Sequence, residues 1–257
     1  MNNSYIAVFD SGVGGLNILE SLIKAFPNEN FIYLADEDFF PYGVKTKEQL
    51  EDRLTKITKK LVEFDIKAII IACNTASANS KHLNKITNIP IIEIITSTAN
   101  YALEQSPLKK IGVWATNATI KSGCYQEIIN KSGICYPVFA SDFVELIENN
   151  QMDTKECVDL VEKHLTEIYD ADSLILGCTH FPLLRHIVSK FNKDLIQISS
   201  NKPVEYALRS LLMNDLFHEE NNNQIIDLYT TKKDGELGEK VKRFEVLANS
   251  INYLEIK

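Results

Sequence analysis

The sequence predicts an α/β protein made of two similar domains, each with a mainly parallel sheet. Short runs rich in Ile and Val alternate with helical stretches along the chain. The runs are apolar on both faces, which is typical of parallel strands covered by helices. They also recur at a constant offset of 105 residues. Of the 257 residues, 45% are hydrophobic and 24% are charged, which is the composition of an ordinary globular chain.

The constant offset indicates that one α/β unit occurs twice. Four pairs of segments share it: 6–9 with 111–114, 31–35 with 136–140, 68–73 with 173–178, and 91–92 with 196–197. Each match alone is weak because buried strands resemble one another, but four matches in one register indicate a duplication. We therefore predict a first domain of residues 1–96 with 208–257 and a second of residues 97–207. A pseudo-two-fold relation would place the active site in the cleft between them.

Helix start signals lie between the predicted strands. Thr46 with Gln49, and Asp153 with Glu156, have the spacing of capping boxes. Outside the duplication we predict three further segments: a polar linker at 219–223, a strand at 225–230 and a helix from about 235 to 247. We expect this last part of the chain to pack on the first domain.

Charge and cysteine content narrow the range of functions. The net charge of −8 argues against nucleic acid or an anionic membrane as a partner, because both require clustered Lys and Arg. No basic residue precedes Lys24, and no apolar run approaches the roughly 20 residues of a membrane span. The five cysteines are never two residues apart, which argues against a disulfide framework and against zinc ribbons. We expect a reduced, cytoplasmic protein.

Small polar residues and two thiols follow the predicted strands, where ligands bind in open parallel sheets. These residues are Asp10, Ser11, Asp36, Cys73, Asn74 and Thr75 in the first copy, and Thr116, Thr119, Ser141, Cys178, Thr179 and His180 in the second. Gly12 and Gly14, with Asp36 downstream, also suggest a dinucleotide site. However, Asn17 stands where that motif needs its third glycine. A tight turn that opens a helix, with amides able to hold a carboxylate, is the simpler interpretation.

Cys73 and Cys178 differ from the other thiols because they occupy equivalent positions of the duplicated unit. Thiols on the two faces of one carbon suit removal of a proton from one face and its return on the other. Asp10, Glu148 and His180 are candidates for tuning these thiols, since each can take or hold a proton. The purely structural alternatives are a surface cap for Asp10, a solvated helix face for Glu148 and a packed ring for His180. The remaining cysteines, 124, 135 and 157, are interpreted as small buried hydrophobes.

Five stretches carry a family resemblance: residues 9–16, Asp36 with residues 41–43, residues 72–77, Thr116 with Thr119, and residues 177–182. In this order and spacing they resemble the glutamate racemases of the cofactor-independent aspartate/glutamate racemase superfamily. The resemblance spans nearly the whole chain. It implies a two-domain α/β fold and interconversion of L- and D-glutamate, the D form being used for peptidoglycan. We expect no cofactor and no metal, since no pyridoxal motif and no metal-ligand spacing is present.

The resemblance also implies residue roles. Cys73 would deprotonate D-glutamate and Cys178 the L form, with Asp10, Glu148 and His180 as accessory acid/base groups. The implied substrate-contacting residues are Asp10, Ser11, Tyr42, Gly43, Asn74, Thr75, Thr116, Thr119, Thr179 and His180.

Two alternative functions stay open. A racemase of another acidic amino acid, chiefly aspartate, is one, although Ala76, Ser77 and His180 favour glutamate. A binding or regulatory protein is the other, since some relatives of the family are said to bind DNA gyrase. The sequence leaves the assembly open, a homodimer included.

Overall fold

The computed structural model describes residues 4–213, 223–233, 235 and 237–257. The chain divides into two compact units. Unit 1 comprises Met1–Ile94 with Asn201–Lys257, and unit 2 comprises Ile95–Ser200. Each unit contains one sheet of parallel strands with helices, which confirms the predicted α/β class.

Ten strands lie in the described residues: β1 Tyr5–Asp10, β2 Asn30–Ala35, β3 Ile66–Ile71, β4 Ile91–Glu93, β5 Lys110–Ala115, β6 Ile134–Phe139, β7 Ser173–Gly177, β8 Ile196–Ile198, β9 Ile226–Thr230 and β10 Ser250–Tyr253. The sheet of unit 1 has the order β10-β9-β2-β1-β3-β4, and that of unit 2 has the order β6-β5-β7-β8. The two sheets therefore share one four-strand arrangement. The strands β1 and β5 begin 105 residues apart, as do β4 and β8, which agrees with the duplication.

The described α-helices are α1 Leu16–Ala25, α2 Lys47–Leu61, α3 Asn74–Ala78, α4 Ile94–Gln105, α5 Asn117–Ser122, α6 Cys124–Ile129, α7 Asp142–Glu148, α8 Lys155–Thr166, α9 Arg185–Phe191, α10 Asn201–Leu212 and α11 Leu237–Val241. Short 3-10 helices cover Tyr42–Val44, Lys81–Lys85 and Phe181–Leu184. No helix among these described residues is both long and apolar enough to cross a membrane.

The cores form on both faces of the sheets because the central strands are apolar at most positions. Strands β2 and β3 are buried along their whole length. Successive side chains of a strand point to opposite faces, so Ile6 and Val8 pack in one core of unit 1 while Ala7 and Phe9 pack in the other. In unit 2 the core surrounds Trp114, which is fully buried.

One of the two predicted capping boxes is confirmed. The Thr46 side chain accepts from the Gln49 backbone N–H, and the Gln49 side chain accepts from the Thr46 backbone N–H. The other prediction was one residue too early. Thr154, not Asp153, caps α8, because its backbone is extended there and its hydroxyl accepts from the Cys157 N–H at 3.4 Å.

The last part of the chain agrees with the sequence prediction in its strand but not in its helix. The predicted strand is β9, which pairs with β2 and so extends the sheet of unit 1. The predicted helix is much shorter, since only α11 forms and β10 follows it. The Asn249 backbone N–H donates to the Ile226 carbonyl at 2.7 Å, and the Asn249 side chain accepts from the Ile226 N–H. These bonds draw the chain onto the free edge of β9. Residues 219–222 of the predicted linker lie outside the described residues.

The unit boundaries also differ from the predicted domain limits. The predicted limit at residue 207 falls inside α10, whereas the whole of α10 lies in unit 1. The physical reason is packing, because Val204, Leu208 and Leu212 of this helix are fully buried in the core of unit 1.

Gly177, the last residue of β7, has no room for a side chain. A Cβ there would lie 2.8 Å from the Trp114 carbonyl oxygen, which is backbone and cannot move aside. We expect Gly177→Ala to lower the free energy of unfolding by about 1–3 kcal/mol. The matched control is Gly238→Ala in α11, where the nearest atom would lie at 3.6 Å and alanine should be tolerated. Urea unfolding followed by circular dichroism measures both. A Gly177→Ala protein as stable as the wild type would contradict the packing described here.

Candidate active site

Asp10, the last residue of β1, organises the glycine-rich turn that follows it. Its side chain is fully buried, so the surface cap considered from the sequence is excluded. One carboxylate oxygen accepts the backbone N–H groups of Gly12 and Gly15 at 3.2 and 3.0 Å. The Tyr33 hydroxyl donates to the Gly12 carbonyl at 2.7 Å. A Cβ at Gly15 would lie 2.6 Å from the Asp10 Cβ, so only glycine lets the turn close over the carboxylate.

Asp36, which follows β2, is fully buried and accepts hydrogen bonds at both oxygens. Oδ2 accepts from the Tyr42 hydroxyl at 2.6 Å and from Arg53 Nε at 2.9 Å. Oδ1 accepts from Arg53 Nη2 at 2.6 Å and from the Thr231 hydroxyl at 2.8 Å. A carboxylate so engaged inside the protein cannot bind the ribose of a dinucleotide. The dinucleotide interpretation of the glycine motif is therefore wrong.

The Tyr42 hydroxyl has one proton, and Asp36 takes its hydrogen bond. Burial, with the nearby charge of Asp36, raises the pKa of Tyr42 well above its usual value, so the phenol remains a donor. Any hydrogen bond that this stretch gives to a ligand must then come from backbone N–H groups. Tyr42 and Gly43 lie in a 3-10 turn, Tyr42–Val44, which carries such groups.

Cys73 follows β3 and caps the amino end of α3. Its Sγ accepts from the Ala76 backbone N–H at 3.5 Å and donates to the Ser11 hydroxyl at 3.4 Å. The thiol is buried at 7% exposure, and Asn74 and Thr75 in the first turn of α3 are buried beside it. A backbone N–H directed at sulfur stabilises a thiolate, whereas purely apolar surroundings disfavour it. Unit 1 thus brings Ser11, Cys73 and the Asp10 turn to one edge of its sheet.

Unit 2 brings Cys178, His180 and Glu148 into one relay. Cys178 follows β7, and its Sγ lies 3.6 Å from His180 Nδ1. His180 Nε2 lies 2.6 Å from a carboxylate oxygen of Glu148, the last residue of α7. Phe143 of α7 packs edge-on against Phe181, with ring centroids 5.6 Å apart, which holds the helix against the segment that carries His180. Each carboxylate, imidazole and thiol is therefore within reach of the next.

The relay sets the charge of the imidazole. Burial alone would lower the pKa of His180, but its hydrogen bonds to Cys178 and Glu148, together with their charges, outweigh burial and raise the pKa from 6.5 to about 10. His180 is therefore an imidazolium at neutral pH, neither the neutral ring of an ordinary core histidine nor a free base. An imidazolium next to sulfur stabilises a thiolate.

The threonines of unit 2 form a second polar group at the same sheet edge. Thr116 follows β5 and caps α5 by accepting from the Thr119 backbone N–H at 3.3 Å. Their hydroxyls lie 2.9 Å apart, and both residues are buried. Ser141 joins this edge by accepting from the Asn117 N–H at 2.8 Å. Thr179 lies half-buried between Cys178 and His180.

The other thiols have different surroundings. Burial raises the pKa of Cys135 to about 12, and burial, with nearby acidic groups, also raises the pKa of Cys157. None of the five cysteines, all within the described residues, forms a disulfide.

In the part of the chain that the structure describes, no group of three or more His, Cys, Asp or Glu side chains is placed to hold a metal ion.

The sequence interpretation missed the partners of Asp36, namely Arg53 and Thr231, and the support that Tyr33 gives to the glycine turn. A signal for Arg53 was present. Arg53 and the buried residues Leu50, Leu54 and Ile57 of α2 follow the i, i+3, i+4, i+7 spacing, so this arginine lies on the apolar face of the helix. A cation on such a face needs a buried anion.

The structure thus places a thiol at the same strand end of each copy of the duplicated α/β fold, the arrangement that the sequence analysis associated with proton transfer. A family model described as Asp/Glu/Hydantoin racemase matches residues 14–200. The chain belongs to the Asp/Glu/hydantoin racemase family.

Several glutamate racemases are similar to this chain. The protein from Limosilactobacillus reuteri (strain DSM 20016) is 38% identical over 240 residues, which is 90% of this chain and 89% of the relative. That from Aquifex aeolicus (strain VF5) is 32% identical over 92% of both chains. Among solved structures, a glutamate racemase isoform from Bacillus anthracis matches with a TM-score of 0.93 and 29% identity, over 100% of this chain and 99% of that one.

Two further solved structures are similar to this chain. A glutamate racemase from Francisella tularensis in complex with D-glutamate matches with a TM-score of 0.88 and 30% identity, over 100% of this chain and 99% of that one. An aspartate racemase from Picrophilus torridus matches with a TM-score of 0.61 and 20% identity, over 80% of this chain. The second likeness extends to the fold alone.

The relay predicts an unusual titration for one imidazole. In the wild type, we expect the NMR signals of His180 to remain those of an imidazolium above neutral pH, with a midpoint of about 10. Glu148→Gln removes the negative charge that stabilises the imidazolium, so the midpoint should fall. The signals are assigned by their loss in His180→Asn.

The matched control for this titration is Glu145→Gln on the same helix, where the side chain is exposed. It should leave the His180 midpoint unchanged. A His180 midpoint that is the same in Glu148→Gln and in the wild type would contradict the role of Glu148.

Proposed function

We propose that this chain is a glutamate racemase that interconverts L- and D-glutamate with two thiols. The observation that carries the proposal is the placement of Cys73 and Cys178 at equivalent strand ends, each next to polar groups that suit proton transfer. Relatives named as glutamate racemases, matched over most of both chains, support glutamate as the substrate.

Cys178 is the base for L-glutamate in this proposal. Its thiolate, stabilised by the His180 imidazolium, removes the α-proton, and the C–H electron pair remains on the α-carbon beside the carboxylate. The Cys73 thiol then gives its proton to the opposite face, which forms D-glutamate and leaves a Cys73 thiolate. The reverse reaction exchanges the two roles, so each thiol alternates between acid and base.

The groups that hydrogen-bond the Cys73 sulfur carry no net charge. Ser11 and the Ala76 N–H contact this sulfur and stabilise the thiolate left after proton donation. Asp10 is placed to hold the turn that carries Ser11, and we propose that its carboxylate also serves as an accessory acid/base group near Cys73. Glu148 and His180 have the corresponding role for Cys178.

Glutamate recognition depends on neutral donors in this proposal. Ser11, Asn74, Thr75 and Thr179 supply side-chain groups, while the Tyr42–Val44 turn supplies backbone N–H groups. Thr116 and Thr119 contribute hydroxyls from unit 2. Sites built from hydrogen-bond donors discriminate strongly against ligands that cannot engage them all. Aspartate, which is one methylene shorter, is therefore expected to be the poorer substrate.

The two thiols supply both the acid and the base, so the proposed reaction needs no cofactor. It does need a reducing environment that keeps both thiols from oxidation. We propose that the enzyme works in the cytoplasm and supplies D-glutamate for peptidoglycan.

The thiols provide the first test. Cys73→Ala and Cys178→Ala should each abolish racemisation in both directions, because every turnover needs one base and one acid. Circular dichroism of the amino acid, with each enantiomer of glutamate and of aspartate as the substrate, measures the rate. Alanine at residues 124, 135 or 157 is the matched control and should leave activity largely intact.

Near wild-type racemisation by Cys73→Ala or by Cys178→Ala would refute the two-thiol mechanism. Higher catalytic efficiency on aspartate than on glutamate would instead move the assignment to an aspartate racemase.

Isotope exchange distinguishes two bases from one. In deuterated water, D-glutamate formed early from L-glutamate should be almost fully α-deuterated, because the donating thiol has exchanged with solvent. The recovered L-glutamate should remain mostly protonated. Mass spectrometry of the separated enantiomers at low conversion gives both values. Substantial unlabelled D-glutamate would indicate one base that returns the proton it took.

A further inference from the structure

Arg53 connects three segments of unit 1: its own helix α2, the loop at 36–39 and the segment at Ile256. Its guanidinium binds Asp36 with two nitrogens, Nε at 2.9 Å and Nη2 at 2.6 Å. Its third nitrogen, Nη1, donates to the Ile256 carbonyl at 3.2 Å, close to the end of the chain. Its charged end also lies over the Phe39 ring, 5.3 Å from the centroid. The side chain is only 11% exposed, so these contacts occur in a largely water-free environment.

These contacts meet at the turn that carries Tyr42 and Gly43. The Tyr42 hydroxyl donates to the same Asp36 oxygen that accepts from Arg53 Nε. The Phe39 ring, which Arg53 covers, packs edge-on against the Tyr42 ring with centroids 5.7 Å apart. Arg53 therefore acts on the turn by two routes, one polar and one aromatic.

The carboxylate of Asp36 depends on Arg53 for its charge balance. Asp36 is fully buried, and a buried carboxylate without a cation is strongly disfavoured. The bidentate bond also fixes the orientation of the Asp36 carboxylate, because a guanidinium and a carboxylate bind each other in one plane. A lysine at this position would keep the charge but could not bind both oxygens and the Ile256 carbonyl in the same geometry.

The chain terminus completes the arrangement. The Leu254 backbone N–H donates to the Thr230 carbonyl at 2.8 Å, next to Thr231, whose hydroxyl donates to Asp36. Leu254 and Ile256 pack against the core that also contains Tyr42. Residues 254–256 thus hold Arg53 through the Ile256 carbonyl and bond to the strand that precedes Thr231.

We propose that Arg53 is a positioning residue for substrate binding, which holds the Tyr42–Val44 turn through Asp36 and Phe39 and is itself held by the Ile256 carbonyl. This inference rests on the proposed function, in which that turn supplies N–H groups to glutamate. It assigns a role in recognition to the end of the chain, which contributes no side chain to the proposed chemistry.

The test compares Arg53→Lys and Arg53→Met with the wild type. Both should raise KM for glutamate, by about tenfold in Arg53→Met, the loss expected when a hydrogen bond to a charged group is misplaced. The value of kcat should change much less, since in this proposal Arg53 acts on the turn and not on either sulfur. Arg53→Lys should lie between Arg53→Met and the wild type. The matched control is Lys56→Met on the same helix. The Lys56 ammonium pairs with exposed Asp52, so this variant should leave KM unchanged.

A double variant separates positioning from stability. Arg53→Met leaves a buried charge alone and can unfold the protein, whereas Asp36→Asn with Arg53→Met removes both charges together. In the double variant we expect stability to return while KM remains raised, because the amide and the thioether cannot reproduce the two-pronged bond. A double variant with wild-type KM would overturn the proposal.

Hydrogen exchange gives a readout that does not depend on the substrate. Amides of residues 39–45 should exchange faster in Arg53→Lys than in the wild type or in Lys56→Met, while those of α3 should not change. Unchanged exchange at residues 39–45 would overturn the positioning role even if activity fell. If the wild type did not racemise glutamate, the proposed function would fail, and the exchange rates would still decide whether Arg53 holds the turn.

Discussion

The constraint on which the site depends is that a carboxylate buried at the end of a parallel strand must find hydrogen-bond donors inside the protein. All strands of a parallel sheet end at one edge, so the groups that satisfy one carboxylate are those that form the site. Asp10 meets the constraint with the backbone of the glycine turn, and Asp36 meets it with Arg53, Tyr42 and Thr231. In both cases an acidic residue shapes the loop that follows a strand.

The duplication has produced two thiol sites with different electrostatics. Cys73 is surrounded by a hydroxyl and a backbone N–H, whereas Cys178 lies next to an imidazolium held by a carboxylate. The fold repeats because strand order and burial repeat, but the residues after each strand differ between the copies. Symmetry in the backbone therefore does not require symmetry in the acid/base groups. The proposed mechanism needs only that both thiols can exchange a proton.

The sequence predicted the features that depend on pattern. Constant spacing of apolar runs predicted the duplicated sheets, and strand ends predicted where Asp10, Cys73 and Cys178 would lie. It could not predict features that depend on tertiary contact. The helix expected at 235–247 is short because Asn249 pairs with the edge of β9, a bond between residues that the local sequence does not connect.

The partners of the buried Asp36 carboxylate were the second feature that the sequence pattern could not predict. Arg53 is distant from Asp36 along the chain, and many surface helices contain arginine, so its position on the apolar face of α2 was informative only once Asp36 was known to be buried. Tyr42 illustrates the same limit. Its place in the motif implied contact with the substrate, but the fold directs its hydroxyl to Asp36 instead.

The relay in unit 2 has a consequence for the path of the proton. Two groups raise the pKa of His180, and one of them, Cys178, loses its negative charge each time it accepts a proton from the substrate. Glu148 does not change in that step, so its hydrogen bond and charge are what continue to stabilise the imidazolium while Cys178 is a thiol. In the proposed mechanism, the two side chains therefore act together as accessory acid/base groups: His180 faces the sulfur, and Glu148 sets how strongly the imidazole holds its proton.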